Sequence, residues 1–379
     1  KILEASFDGG PDLVDSFVEH GAREGCGAEL CAAGGVLGRT LELITEDDQS
    51  KPGESATVVK KLISRDKVVV ILGEITSGRT LEAAPIAQAA KIPLISPGAT
   101  NVEVTAKGNY IFRVCFIDDF QGTVMAKFAR DTLQLKRVAI LSSVSSAQSV
   151  GLAKYFRERF TSASTVIAAE QKYSEGEKDF RAQLTAIKAA GADGIFVPGY
   201  YAEAALICKQ ARDLGLTVPI FGGDGWEAPE LIEIGGKAVE GTYYASHYSS
   251  ASTAPEVREF VKKNRARYNG ETPDSMAPLA YDATFIVAEA ITRAGTTEGG
   301  ACAVVGDDQD VGTRRRHDRV GEVVALDLGG LLVATTEGVS TAVNQTSTES
   351  PGDTPVTHLR IVQVLLKTTP NADTPRVGA

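Results

Sequence analysis

Residues 92–101 read Ile-Pro-Leu-Ile-Ser-Pro-Gly-Ala-Thr-Asn. The short apolar run Leu94-Ile95 has the character of a buried strand, and it breaks at Ser96-Pro97-Gly98 into a turn. Such a turn leaves backbone amides and two hydroxyls, those of Ser96 and Thr100, at the end of the strand. In an open α/β sheet, ligands bind outside the carboxyl ends of the strands. Gly98 lets a small anion such as a carboxylate approach the main chain there. Two similar strand ends follow, Gly199-Tyr200-Tyr201 and Gly222-Gly223-Asp224-Gly225-Trp226.

Outward from this stretch, strand and helix patterns alternate between residues 40 and 295. Val68 to Leu72 is a continuous run rich in β-branched residues, as expected of a strand covered on both faces. Further strands are expected near 41–44, 111–114, 137–142, 165–169, 194–198, 218–221 and 241–245. Helices are expected near 54–65, 81–90, 120–133, 150–160, 178–190, 201–214 and 255–267. In the 178–190 segment, Phe180, Leu184 and Ile187 form one apolar stripe, and Ser174 with Glu177 fits a capping box before it. Units of about 25–30 residues are those of right-handed βαβ crossovers in a parallel, doubly wound sheet.

The chain has 379 residues, enough for two domains with full cores. Its 43% hydrophobic and 23% charged content is that of an ordinary globular protein. A formal charge of −10 argues against a nucleic-acid partner, which calls for a basic face. No apolar run reaches the roughly 18 residues of a membrane span, and no basic and apolar leader opens the sequence. The protein is therefore read as cytosolic or as a mature exported form. Five scattered cysteines without C-x-x-C spacing read as mostly buried free thiols, with no zinc site. The strands are too many for one sheet of ordinary width, so two α/β domains are expected. The chain passes between them at Phe116–Gly122 and again near His247–Ser252, after which helical pattern returns it to the first domain.

These residues carry a family resemblance. Ala32-Ala33-Gly34-Gly35-Val36-Leu37-Gly38-Arg39, Glu46-Asp47-Asp48, Ile95 to Asn101, Phe112-Arg113 with Gln121-Gly122, Gly176 to Phe180, Gly199-Tyr200-Tyr201 and Gly222 to Gly225 all resemble the leucine/isoleucine/valine-binding proteins. The likeness runs from about residue 27 to 295. It implies two doubly wound Rossmann-like lobes with interleaved chain crossings, the type I periplasmic-binding-protein fold. The lobes would comprise 1–119 with 250–327 and 120–249 with 328–379. Both ends depart from the family pattern, around Lys1 to Gly25 and beyond Gly300; altered reading frames or sequence error are expected to account for them, the alternative being real divergence with a loosely packed tail. Ile2 to Phe7 still serves as a mediocre strand.

A free amino acid is a zwitterion and needs donors at one end and an anionic acceptor at the other. The Ser77 and Thr100 hydroxyls, with the amides of Ala99 and Thr100, stand where the family holds the ligand carboxylate. Asp224 stands where the family pairs an acidic residue with the ammonium, assisted by the Gly98 carbonyl and the Tyr201 hydroxyl. Each has a plainer reading: Ser77 as a helix cap and Asp224 as a turn residue. Tyr201, rather than Tyr200, is taken to face the cleft. Trp226 is either a core or lid residue or a wall of the side-chain pocket. Gln148 replaces the tyrosine usual before Ser-x-Gly, which removes an aromatic wall.

Catalytic signatures are missing: there is no G-x-S-x-G, H-E-x-x-H, P-loop or G-x-G-x-x-G after a strand. The four histidines are not grouped near the expected cleft. The resemblance implies a monomeric extracytoplasmic receptor without cofactor or metal, anchored if at all through a removed or absent N-terminal segment. It would close by hinge motion on a branched-chain or related amino acid and hand it to an ABC permease. The competing readings are a ligand-sensing regulatory module of the same fold, a receptor for an amine-free carboxylic or aromatic acid, and an α/β enzyme.

Overall fold

The apolar runs build two parallel sheets. In the computed structural model, residues 2–6, 30, 34–252, 254–299, 322–327, 333–335, 338–340 and 360–365 are described. The first five strands are β1 (Ile2–Ser6), β2 (Leu43–Asp47), β3 (Val70–Leu72), β4 (Leu94–Ser96) and β5 (Ile111–Arg113). They pair in the order β2-β1-β3-β4-β5, all parallel. The next five are β6 (Arg137–Ser143), β7 (Val166–Tyr173), β8 (Gly194–Val197), β9 (Ile220–Gly222) and β10 (Tyr243–Ser246). Their order, β7-β6-β8-β9-β10, repeats that of the first sheet and is again parallel.

Four later strands are β11 (Glu322–Asp327), β12 (Val333–Thr335), β13 (Gly338–Ser340) and β14 (Arg360–Leu365). β11 pairs antiparallel with β10 and β14 antiparallel with β11, so both extend the second sheet. Glu322–Asp327 therefore departs from the range 250–327 read as the first lobe. β12 and β13 form a separate antiparallel pair. The expectation of altered frames falls otherwise outside the described residues; the one N-terminal strand expected there, at Ile2, is present as β1 between β2 and β3.

Helices cover both faces of each sheet, as the continuous apolar strands require. They are α1 (Glu54–Lys61), α2 (Ser77–Ala90), α3 (Asp118–Lys127), α4 (Ala147–Phe160), α5 (Arg181–Ala189), α6 (Tyr201–Asp213), α7 (Pro229–Gly235), α8 (Pro255–Arg267) and α9 (Met276–Ala294). Along β6, Ala139 and Leu141 face the core under α5 and α6, while Val138 and Ile140 face Phe128 and the helices α3 and α4. The first sheet divides the same way. Ile71, Leu94 and Ile111 meet α1 and α2, whereas Val70, Leu72 and Ile95 meet Ala283, Val287 and Ile291 of α9. The chain thus returns to its first sheet after building most of the second. The helix stripe is small-sided (Ala277, Ala280, Ala283, Ala288), which lets α9 lie close on the strands.

Two local expectations are corrected. α2 begins at Ser77, not near Leu81, with extended Thr76 as its cap residue. The Ser174–Glu177 pair closes a turn, with the Ser174 amide donating to Glu177 Oε2 at 3.2 Å, but the helix waits until Arg181. The reason is tertiary. Gln210 of α6 accepts from the Phe180 amide at 2.7 Å and donates to the Lys178 carbonyl at 2.8 Å, holding 178–180 out of the helix. Cys115 and Cys208 are buried free thiols, as expected, and burial pushes both up to about 12. The other three cysteines lie outside the described residues.

Candidate ligand-binding cleft

In the order 2-1-3-4-5 the sheet reverses direction of winding between its first and third strands, and the crevice there is the usual ligand position. Each sheet has this crevice, and the residues singled out from sequence lie at carboxyl ends of strands in both. Ser77 follows β3, Gly98 to Thr100 follow β4, Gln148 follows β6, Tyr200 follows β8, Asp224 follows β9 and His247 follows β10.

The first-lobe wall is mostly main chain. Ser96 Oγ donates to the Glu74 carbonyl and accepts from the Ala99 amide at 2.9 Å. That amide, expected to meet a carboxylate, is committed to the turn itself. Arg113 Nη1 donates to the carbonyls of Ala99 and Asn101 at 2.7 and 2.8 Å, locking the turn from behind. A Cβ on Gly98 would lie 2.9 Å from Ile75 Cγ2 and 3.0 Å from Met276 Sδ, so only glycine packs there without displacement. Ser77 Oγ accepts from the Asn101 amide at 3.1 Å, leaving its own proton to donate. It opens α2, whose first-turn amides have no helical partner and favour an anion. A Cβ on Gly78 would meet nothing within 4 Å, so the space beside that helix start is open.

The second-lobe wall is a side-chain network around Asp224, which is buried at 6% exposure. Asp224 Oδ1 accepts from Gln121 Nε2 and from Gln148 Nε2, both at 2.9 Å. Its Oδ2 lies 3.1 Å from His247 Nε2. The His247 ring is itself stacked on Phe116 at 3.9 Å between centroids. Burial alone would raise the Asp224 carboxyl, but the His247 bond and charge and the two glutamine bonds outweigh it and hold it below its ordinary value. Gln148 thus lies beside Asp224, with its amide on that carboxylate.

Three readings are decided or corrected. Of the two alternatives left open for Trp226 the core holds: it is fully buried in the second-lobe core and donates Nε1–H to the Val197 carbonyl at 3.0 Å, so its place among the ligand-binding residues is corrected. A Cβ on Gly222 would sit 2.2 Å from the indole, which explains the glycine before it. Tyr201 packs against the same core, because it starts the inward stripe of α6 that continues at Ala204, Ala205 and Cys208. Tyr200 faces the cleft instead. Its ring covers Gly225, where a Cβ would lie 2.7 Å from Tyr200 Cδ1. Burial, then the nearby carboxylates of Glu175 and Asp224, hold its phenol well above its ordinary value against a hydrogen bond with Ser146. Finally, His247 stands in the cleft, although the sequence reading gave the histidines no place near it. His20, His317 and His358 lie outside the described residues.

Asp118, unnoticed in the sequence, sits where the chain first crosses between sheets. Burial and the charge of Asp224 push it up to about 8, opposed by the Thr100 hydroxyl and Arg113. Thr100 Oγ1 is buried beside it without a well-formed hydrogen bond, and neither Asp118 oxygen has one. A Cβ on Gly151 would lie 2.4 Å from Asp118 Oδ2 and 2.9 Å from Asn101 Nδ2, so glycine admits α4 to the crossing. There Asn101 Nδ2 donates to the Ala147 carbonyl at 2.8 Å, tying the two walls together.

A family model described as periplasmic binding protein matches residues 21–304. The chain is 32% identical over 291 residues to Leu/Ile/Val-binding protein homolog 1 of Brucella suis, covering 76% of this chain and 77% of that one. The structure resembles a leucine binding protein, LivK, of Thermotoga maritima, with a TM-score of 0.79 and 33% identity over 90% of this chain and 97% of that chain. It also resembles the branched-chain amino acid transporter substrate binding protein LivJ of Streptococcus pneumoniae in complex with isoleucine. That match has a TM-score of 0.74 and 33% identity over 80% of this chain and 87% of that chain. On the extent of the family match and the shared two-sheet architecture, the chain belongs to the periplasmic binding protein family.

Proposed function

We propose that this protein is an extracytoplasmic receptor that closes two lobes on a free α-amino acid and delivers it to the permease of an ABC transporter. One observation carries the reading. Around Asp224, the oxygens Gln121 Oε1, Gln148 Oε1, Asp118 Oδ1 and Asp118 Oδ2 are buried and accept no hydrogen bond. A surplus of acceptors beside a carboxylate fits an ammonium with its three N–H donors. Opposite, the Ser77 and Thr100 hydroxyls and the first turn of α2 supply donors for the ligand carboxylate. The similar protein solved with isoleucine holds a ligand of this zwitterionic class.

On this reading the protein works as a monomer and not as an enzyme. Residues 1–119 with the returning helices form one lobe, and residues 120–249 form most of the other. The crossings near 117–122 and 247–252 act as hinges, and a ligand bridging both walls favours the closed state. A thermal-shift screen of the twenty amino acids tests the proposal, since a ligand at 100 times its Kd stabilises by about 2.7 kcal/mol. No shift with any of them sinks it. One observation favours a second reading, an amine-free carboxylic or aromatic acid: Asp224 is already partnered within the protein by Gln121, Gln148 and His247. Binding of such acids, with no amino acid bound, would establish that alternative.

A further inference from the structure

Resting on the amino-acid reading above, we propose that the cleft continues into a polar subsite formed by Asp48, Glu74 and Arg79. Its occupant is a ligand side chain that donates hydrogen bonds, through a hydroxyl, an amide or a cationic group, in preference to a plain aliphatic one. Asp48 and Glu74 are each only 1% exposed. Asp48 Oδ1 accepts from the Ser50 amide at 2.9 Å, and Glu74 Oε2 accepts from the Thr76 amide and hydroxyl, both at 2.9 Å. The remaining oxygens, Asp48 Oδ2 and Glu74 Oε1, are buried and accept nothing, and Arg79 Nη1 donates to nothing. Arg79 Nη2 is occupied by Glu82 Oε1 at 3.1 Å.

These groups belong to one place. Glu74 is driven well above its ordinary value by burial and then by the charge of Asp48. Asp48 is raised to about 6 by burial, against its Ser50 bond and the Arg79 charge. They also border the headgroup site. Glu74 precedes Ser77 by three residues, its carbonyl accepts from Ser96 of the carboxylate-binding turn, and its charge reaches Tyr200 on the opposite wall. Tyr200 feels Asp224 as well, so its phenol is near both the ammonium end and Glu74. The charge of Arg79 reaches Glu175 at the rim of the second lobe. An aliphatic side chain in this space would leave two carboxyl oxygens and a guanidinium nitrogen without partners, the costly arrangement for buried polar groups. A donor-bearing side chain satisfies at least one of them.

Calorimetric titration of the full chain with leucine, isoleucine, threonine, glutamine and lysine tests the idea. At least one of the last three should bind about tenfold or more tighter than leucine, because a site built to hydrogen-bond rejects the analogue that lacks the group. Glu74→Gln keeps the shape but alters the acceptor set, and Asp48→Asn does the same from the other side should the first variant fold poorly. In whichever variants unfold cooperatively, the preference over leucine should shrink by about threefold or more. Leucine or isoleucine binding tightest overturns this inference and leaves the amino-acid receptor standing. An unchanged preference in both folded variants also overturns it. Failure of all five ligands, with none of the other amino acids shifting the melting curve, overturns the receptor reading and this one together.

Discussion

The two walls of the cleft are made of different material. On the first lobe, donors come from a turn and a helix start, backed by two hydroxyls and braced by Arg113. On the second, the site is three side chains from three separate segments, Gln121, Gln148 and His247, converging on the carboxylate of Asp224. A main-chain wall survives loss of any one side chain, since the amides remain. A side-chain wall does not, because each member leaves another buried polar group unpaired. The first wall should therefore be tolerant and the second brittle.

The largest break in that comparison is Asp224→Asn. It removes the carboxylate charge at the centre of the network and puts an NH2 against its glutamine and histidine partners. Loss of one partner of a buried charge pair costs about 2–5 kcal/mol, or roughly 30-fold to several-thousand-fold in Kd. With three protein donors already on Asp224, the ligand-free protein should lose stability too, visible as a lower Tm. Amino-acid affinity equal to the parent's would show that Asp224 does not hold the ammonium. Gln148→Ala follows, with an expected loss of about 1–3 kcal/mol in binding, since it removes a donor to Asp224 and one of the free acceptors. Calorimetry on both variants ranks them, and Gln148→Ala exceeding Asp224→Asn would reverse the order of importance within the wall.

A third test addresses the seam between walls. Glu227, beyond Asp224, accepts from the Ser275 amide at 3.0 Å at the start of α9. Burial and the Asp274 charge raise Glu227 to about 7, and burial raises Asp274 to about 7. A carboxyl raised on folding binds its proton more tightly in the native state, so its contribution is fully present below the unfolded pKa. It is lost as pH rises through the folded value. The parent should thus lose stability from this pair between about pH 4 and pH 7. Glu227→Gln should remove much of that slope and gain on the order of 1–2 kcal/mol above pH 7. Asp118, raised to about 8, acts in the same direction, whereas depressed Asp224 loses its contribution only at acid pH. The variant-minus-parent difference in melting curves isolates Glu227, and a flat difference from pH 4 to 8 would remove it from the seam.

The contrast between walls also explains what could be read without coordinates. Val68–Leu72 and the strand ends at Gly98 and Gly222 announce a parallel sheet and its ligand edge, because covered strands are continuously apolar and tight turns need glycine. The main-chain wall was legible for the same reason. Of the side-chain wall only Asp224 and Gln148 were singled out, because its members meet only through topology. His247 and Asp224 are 23 residues apart but follow neighbouring strands β9 and β10, and that adjacency was the available signal. Tyr200 and Tyr201 could have been separated by continuing the stripe of α6 through Ala204, Ala205 and Cys208, which claims Tyr201 for the core. Asp118 gave no signal, since an acidic residue at a helix start has an ordinary electrostatic reason to be there.

The smallest effect belongs to the tolerant wall. Ser77→Ala removes one hydroxyl that accepts from the Asn101 amide and has a proton left to donate. The first-turn amides of α2 and the Thr100 hydroxyl remain for a carboxylate. Binding should weaken by about 0.5–1.5 kcal/mol, the net worth of an ordinary hydrogen bond. Part of that loss reflects the Asn101 amide, which must find a new acceptor beside the tie between Asn101 and Ala147. A Ser77→Ala variant binding as weakly as Asp224→Asn would mean that the carboxylate rests on the hydroxyl more than on the helix start. The distinction between a main-chain wall and a side-chain wall would then fail.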